Sequence, residues 1–289
     1  MESPVARRMW ASLEPIHAMI YFVPEAFEAW KNIGFTHPRM GYFASRSAAM
    51  GAVEASVVAA TFFNFNPETV ARFIPEAWSI ASPDHIIATR YTAADEALHR
   101  LLGDAIHSEE MSWAADAAME AAAACPAGGR SLFAGHAAVP VPDVPHLRLW
   151  HATTLLREFR GDGHVHALIS AGLTGLEAVV SYTATGDLFD ADFFRRSRGW
   201  NDDDWASGVE ALQGKGWIDD QGALTDHGRA VRETVEDETD RLSLAPWQAL
   251  GEETARRLAT AVRPWRRTIL DADVLGGGGR NVRAFTEAD

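Results

Sequence analysis

Cysteine, lysine and strand-like alternation are all scarce in this chain, and each scarcity removes a class of protein. The single Cys125 among 289 residues excludes an internal disulfide and a cysteine-rich metal site, and fits a reducing compartment. It lies in an alanine-rich stretch with no activating partner nearby, so it reads as an inert packed thiol. No window approaches the ~18 uninterrupted apolar residues of a membrane span, and no basic stretch followed by an apolar run opens the chain. The expectation is a cytoplasmic protein, neither exported nor membrane-bound. Gly-x-Ser-x-Gly, P-loop and dinucleotide-binding fingerprints are absent, which removes the standard hydrolase, kinase and dehydrogenase readings. Lys31 and Lys215 are the only lysines, so nearly all positive charge is arginine. The net charge of −14 opposes non-specific attraction to nucleic acid or anionic lipid.

What is present is helical periodicity in a chain 47% hydrophobic, enough to build a full core. The fold class expected is all-α, with two winged-helix-like halves and one small β-wing. A first helix is expected from Pro4 to Phe22, kinked at Pro15. Asn66-Pro67 and Ser82-Pro83 are N-cap and first-turn proline signatures, and helices are expected at about 83–102 and 108–125. The stretch 126–146, with Gly128, Gly129, Pro140, Pro142 and Pro145, has the composition of a connector. It divides a domain of residues 1–125 from one of 147–272, followed by a tail at 273–289 detached by four glycines. The second domain is expected to open with a helix near Leu147 that breaks at Gly161-Asp162-Gly163. Arg8-Met9-Trp10 is echoed by Arg148-Leu149-Trp150 and Phe65-Asn66 by Trp200-Asn201, at offsets of about 135–140 residues, which suggests a duplication. The tail is long enough to reach a second subunit, so a homodimer is left open.

Residues 200–243 carry the strongest local pattern. Asn201 caps a helix, Lys215-Gly216 stops it, Trp217-Ile218 and Ala223-Leu224-Thr225 flank the turn Asp219-Asp220-Gln221-Gly222, and a long helix starts at Asp226. This order resembles the end of a MarR-like winged-helix domain. In such a domain the helix before the wing enters the major groove, which demands bases or neutral donors. Here residues 201–227 contain Asp202, Asp203, Asp204, Glu210, Asp219, Asp220 and Asp226 against Lys215 alone. DNA contact by this helix is therefore not expected.

Two constellations carry candidate chemistry. Glu14, His17 and Tyr21 share one helical face, a catalytic set with His17 as acid or base oriented by Glu14. The run Leu156-Arg157-Glu158-Phe159-Arg160-Gly161-Asp162-Gly163-His164 combines arginines, acids and an imidazole, as an anion site would. The pairs Glu96/His99 and Asp104/His107 imitate a carboxylate-bridged metal motif, but the ferritin-like spacing is not met, and no metal ligands are assigned.

The strings Glu14-Pro15-Ile16-His17, Tyr42 to Arg46 and Leu156 to His164, with the Asn64-Phe65-Asn66-Pro67 turn, resemble those of a bacterial helix-turn-helix family over nearly the whole chain. The resemblance implies a tandem winged-helix architecture and no particular activity. The functional expectation is a small-molecule-binding protein. Aromatics (Trp10, Tyr21, Phe22, Tyr42, Phe43, Phe62, Phe63 and Trp150) would wall a pocket between the halves, with Tyr42, Arg46, Asn64, Arg157, Glu158, Arg160, Asp162 and His164 as ligand contacts. A winged-helix transcriptional regulator is the alternative, supported also by the basic stretch Arg256 to Arg267, and a metal- or haem-dependent enzyme is a further one. The cofactor is left open.

Overall fold

The computed structural model describes residues 4–186 and 191–275, and the tetraglycine tail falls outside them. The protein is all-α. Its helices are α1 (Pro4–Ala18), α2 (Pro24–Asn32), α3 (Pro38–Ser47), α4 (Ala55–Phe62), α5 (Pro67–Ala71), α6 (Glu76–Ile80), α7 (Pro83–Leu102) and α8 (Glu109–Ala123), then α9 (Ser131–Ala137), α10 (Pro145–Ser170), α11 (Gly175–Thr183), α12 (Ala191–Arg198), α13 (Asp202–Gly214), α14 (Asp226–Leu242), α15 (Ala245–Leu250) and α16 (Glu252–Asp271). Their starts follow elementary capping chemistry. Proline, which has no N–H to lose, occupies the first turn of α2, α3, α5, α7 and α10. Side chains of Asn66, Ser82, Ser108, Thr174, Asn201 and Thr225 accept from first-turn amides. Pro15 lies inside α1, which gives way to a 3₁₀ turn over Met19–Tyr21.

The axis of the molecule is α10. Its 26 residues extend about 39 Å, and every residue from Leu149 to Leu156 is buried, as expected for a helix covered on all sides. It packs against α1, α7, α8, α9 and α14. The larger hydrophobic core gathers residues on both sides of 126–146, from Ala6 to Leu275. That stretch contains α9, whose Leu132 and Phe133 are buried in the same core. A smaller core joins Ala167 and Leu168 at the end of α10 to α11, α13, Trp217, Ile218, Leu224 and Val235.

Two expectations are corrected. First, α10 does not break at Gly161-Asp162-Gly163. A Cβ on Gly163 would lie 2.8 Å from Arg130 Nη1 and 3.3 Å from Leu242 Cβ, so this glycine permits close approach rather than a turn. Through that gap Arg130 donates to the Phe159 carbonyl and, at 2.7 Å, to the Leu242 carbonyl, joining α9, α10 and α14. Second, the wing contains no strand among the described residues; it is a single antiparallel bridge, Ile218 to Leu224. Asp219 closes its turn by accepting from the amides of Gln221 and Ala223.

A helix-turn-helix is formed by α12, the turn Gly199-Trp200-Asn201 and α13. Gly199 takes φ +79°, and a Cβ there would lie 2.1 Å from Thr69 Oγ1, so both conformation and space call for glycine. The turn is docked onto residues 64–66: Trp200 Nε1 donates to the Asn64 carbonyl at 3.0 Å, and the Asn66 amide to the Arg198 carbonyl at 2.9 Å.

Candidate functional site

Between the two cores lies a cleft of about 340 Å³, within the usual range for small-molecule sites. Its walls come from α1, α3, the end of α4 with the following residues 64–65, α9, α10, α11, α12 and α14. All eight expected ligand contacts line it: Tyr42, Arg46, Asn64, Arg157, Glu158, Arg160, Asp162 and His164, together with Glu14. The continuity of α10 explains the convergence, because Arg157, Glu158, Gly161, Asp162, His164 and Val165 fall on successive turns of one helix face.

Glu158 is the fixed anion of the site. It is fully buried and takes Arg46 Nη2 at 2.8 Å and Arg157 Nη1 at 2.9 Å. Burial pushes its carboxyl up, but the two guanidinium groups outweigh burial and hold it well below the usual range. Arg157 also reaches Glu14 at 3.2 Å, yet burial keeps the Glu14 carboxyl above its ordinary value, and Glu14 Oε2 is buried without a hydrogen bond. Arg46 donates to Tyr42 Oη at 2.9 Å. Burial raises the Tyr42 phenol, and the arginines around it, Arg46 foremost, outweigh that and hold it below its ordinary value. Asp162 accepts the Phe133 amide at 3.0 Å, capping α9, and burial pushes its carboxyl up to about 6.

Opposite, Arg160 pairs with Asp240 at 2.7 Å and lies over the Trp10 ring. Arg232 holds Glu236 at 3.2 Å, and His164 bonds Thr239 at 2.8 Å. Arg198 differs from the other arginines. It lies over the Phe65 ring at 4.6 Å and donates to Ser197 Oγ at 3.3 Å. Among the described residues no carboxylate pairs with it, and its Nε is buried without a partner. Burial depresses its proton affinity. The cleft thus sets five arginines against Glu14, Glu158, Asp162 and Glu236, and burial pushes two of those acids, Glu14 and Asp162, toward neutrality.

The expected catalytic set is divided. His17 does not line the cleft; it is fully buried behind it, bonded through Nδ1 to Thr154 Oγ1 at 3.0 Å and through Nε2 to Tyr21 Oη at 2.9 Å. It stacks on Trp150, and burial with the nearby Arg157 and Arg90 holds it neutral. Thr154 and Tyr21 orient it, whereas Glu14 turns to Arg157. Of the expected aromatic wall, Trp10, Tyr42 and Phe62 line the cleft and Phe65 joins them. Phe43 is in the core and Phe22 is exposed. Arg198, Arg232 and Tyr182 were not anticipated from sequence; the one local signal is Arg198's place next to the Gly199 turn.

The would-be recognition helix keeps its acidity. Asn201 and Asp204 form a capping box, Asp202 pairs with Arg195 of α12, and Lys215 is tied to Glu177 at 2.6 Å. Asp203, Glu210, Asp219, Asp220 and Asp226 remain exposed.

An all-helical fold with a tight helix-turn-helix beside a buried cleft defines the class. In sequence, the profile of the helix-turn-helix family matches residues 6–276, and the chain belongs to that family. Searches of curated proteins and of solved structures return no significant match. Among the described residues no single helix is long and apolar enough to cross a membrane.

Proposed function

We propose that this member of the helix-turn-helix family binds a small anionic molecule in the arginine-rich cleft. The observation that carries the reading is Arg198: a half-buried guanidinium without a carboxylate partner among the described residues, facing a cleft whose other arginines are already matched. A buried charge left uncompensated is costly, and a ligand carboxylate or phosphate offsets that cost by a forked hydrogen bond. The aromatic wall of Trp10, Tyr42, Phe62 and Phe65 suits an apolar or aromatic body on the same ligand. The reading assigns no acid–base chemistry to His17, which is sealed from the cleft.

Native mass spectrometry of the full chain as purified tests for a retained compound. Calorimetric titration with aromatic carboxylates and phosphate monoesters then tests the class. Arg198→Ala should weaken binding about 10- to 150-fold, the equivalent of a charge-assisted hydrogen bond of about 1.5–3 kcal/mol. Equal affinity in the variant, or no binding by any probe, refutes the reading.

Family membership supports a second reading, a transcriptional regulator that uses α12 and α13 on DNA. The exposed acids of α13 and the wing argue against a phosphate contact there. A gel shift against the protein's own promoter region at physiological salt decides: sequence-selective submicromolar binding establishes the regulator.

A further inference from the structure

At the N-terminal end of α10, among residues that do not line the cleft, three side chains of metal-ligating type converge. Asp95 and His99, four residues apart on α7, share one helix face. His146, in the first turn of α10, reaches the same point from the neighbouring helix. Asp95 Oδ1 lies 2.5 Å from His146 Nε2 and 3.4 Å from His99 Nδ1. One ligand atom from each of the three falls within 4.8 Å of the others, and ligand atoms around a tetrahedral zinc lie about 3.3 Å apart. The His99 ring stands edge-on to His146 with centroids 5.0 Å apart. His146 is 2% exposed, so one imidazole is held rigidly by packing, while half-exposed His99 leaves an entry path.

We propose that Asp95, His99 and His146 form a zinc-binding site, independent of the cleft. Two imidazoles and a carboxylate are borderline ligands of the kind zinc accepts, and three protein ligands leave a coordination position to water. Glu96, the acid paired with His99 by sequence spacing, is exposed and is not one of the convergent residues; Asp95 is the acid that converges.

The test uses the full chain, free of any affinity tag and stripped with a chelator, titrated with Zn²⁺ in competition with a chromophoric chelator. One equivalent is expected to bind with a dissociation constant of about 1 μM or tighter, and Co²⁺ in its place should show the intense visible bands of a tetrahedral site. His99→Ala removes a half-exposed ring and preserves packing, so it carries the decision: affinity should fall at least about tenfold with an unchanged circular dichroism spectrum. Asp95→Asn should act in the same direction, and His166→Ala, an exposed imidazole outside the cluster, should leave binding unchanged. Binding weaker than about 1 mM by the parent, or equal affinity in parent and His99→Ala, overturns the proposal.

Discussion

Asp162 offers a test of the site that needs no ligand. Its carboxyl caps α9 through the Phe133 amide, yet burial raises its affinity for protons from an ordinary 3.8 to about 6. A group whose folded pKa lies above its unfolded one binds protons preferentially in the folded state. It therefore stabilises the fold most below about pH 4, and that contribution is lost as pH rises through 6. The size of the shift corresponds to at most about 3 kcal/mol. Asp162→Asn imitates the protonated form: its amide oxygen still accepts from Phe133, and its NH₂ faces the cleft, where water can bond it. The variant should be more stable than the parent at pH 7.5, by up to about 3 kcal/mol, and the difference should shrink toward zero by pH 4. Urea denaturation of both proteins across pH 4–8 measures this, because the difference between them cancels every other titrating group. A variant less stable than the parent at pH 7.5, or a difference independent of pH, refutes the account of Asp162 as a carboxyl destabilised by burial.

Further expectations follow from the same geometry. Gly163→Ala should lower stability by about 1–3 kcal/mol through contact with Arg130 and Leu242, whereas Gly161→Ala, facing the cleft, should be neutral or slightly stabilising; paired denaturation curves compare them. His17, His136, His151 and His164 are all held neutral by burial, with His136 near 3 and both His151 and His164 near 4. They take up protons only on unfolding, so below about pH 6.5 stability should fall steeply, with an uptake approaching four protons by pH 4.5, set against the smaller opposite contribution of Asp162. A flat stability profile between pH 4.5 and 6.5 would contradict their burial. Arg130→Met should cost about 2–4 kcal/mol, because two carbonyls of α10 and α14 lose their donor; calorimetric melting reads it.

Much of this arrangement was legible because local chemistry dictated it. Proline and N-cap signals placed helix starts at Pro67, Pro83 and Asp202, and the acid-and-arginine run of 156–164 indicated a charged face before any fold was known. What escaped depends on distant partners. Gly161 and Gly163 carry the composition of a helix break, and only the approach of Arg130 and Leu242 shows that the second glycine serves packing instead. Glu14, His17 and Tyr21 share a stripe, and the four-residue spacing of His17 and Tyr21 does produce their hydrogen bond. Glu14 was misassigned because Arg157, 143 residues away, attracts it more strongly. Arg198 and Arg232 enter the cleft only when α12 packs on α11 beside residues 64–66 and α14 packs against α10, which no short-range pattern encodes. The wing failed as a strand pair because two short segments around a four-residue turn supply one bridge.

The docking of the helix-turn-helix onto residues 64–66 constrains how this lineage could change. In a free-standing module the first turn of the second helix is open to substitution, and exchanging acids for bases there is a short route to DNA affinity. Here that turn is spoken for: Asp204 completes the capping box with the N-cap Asn201 and accepts from Asn66, and Asp202 ties α13 to Arg195. An arginine at either position gains a phosphate contact only by releasing an anchor of the module itself. The acidity of Asp202 and Asp204 is thus an architectural commitment, whereas Asp203 and Glu210 on the same helix carry no such tie among the described residues.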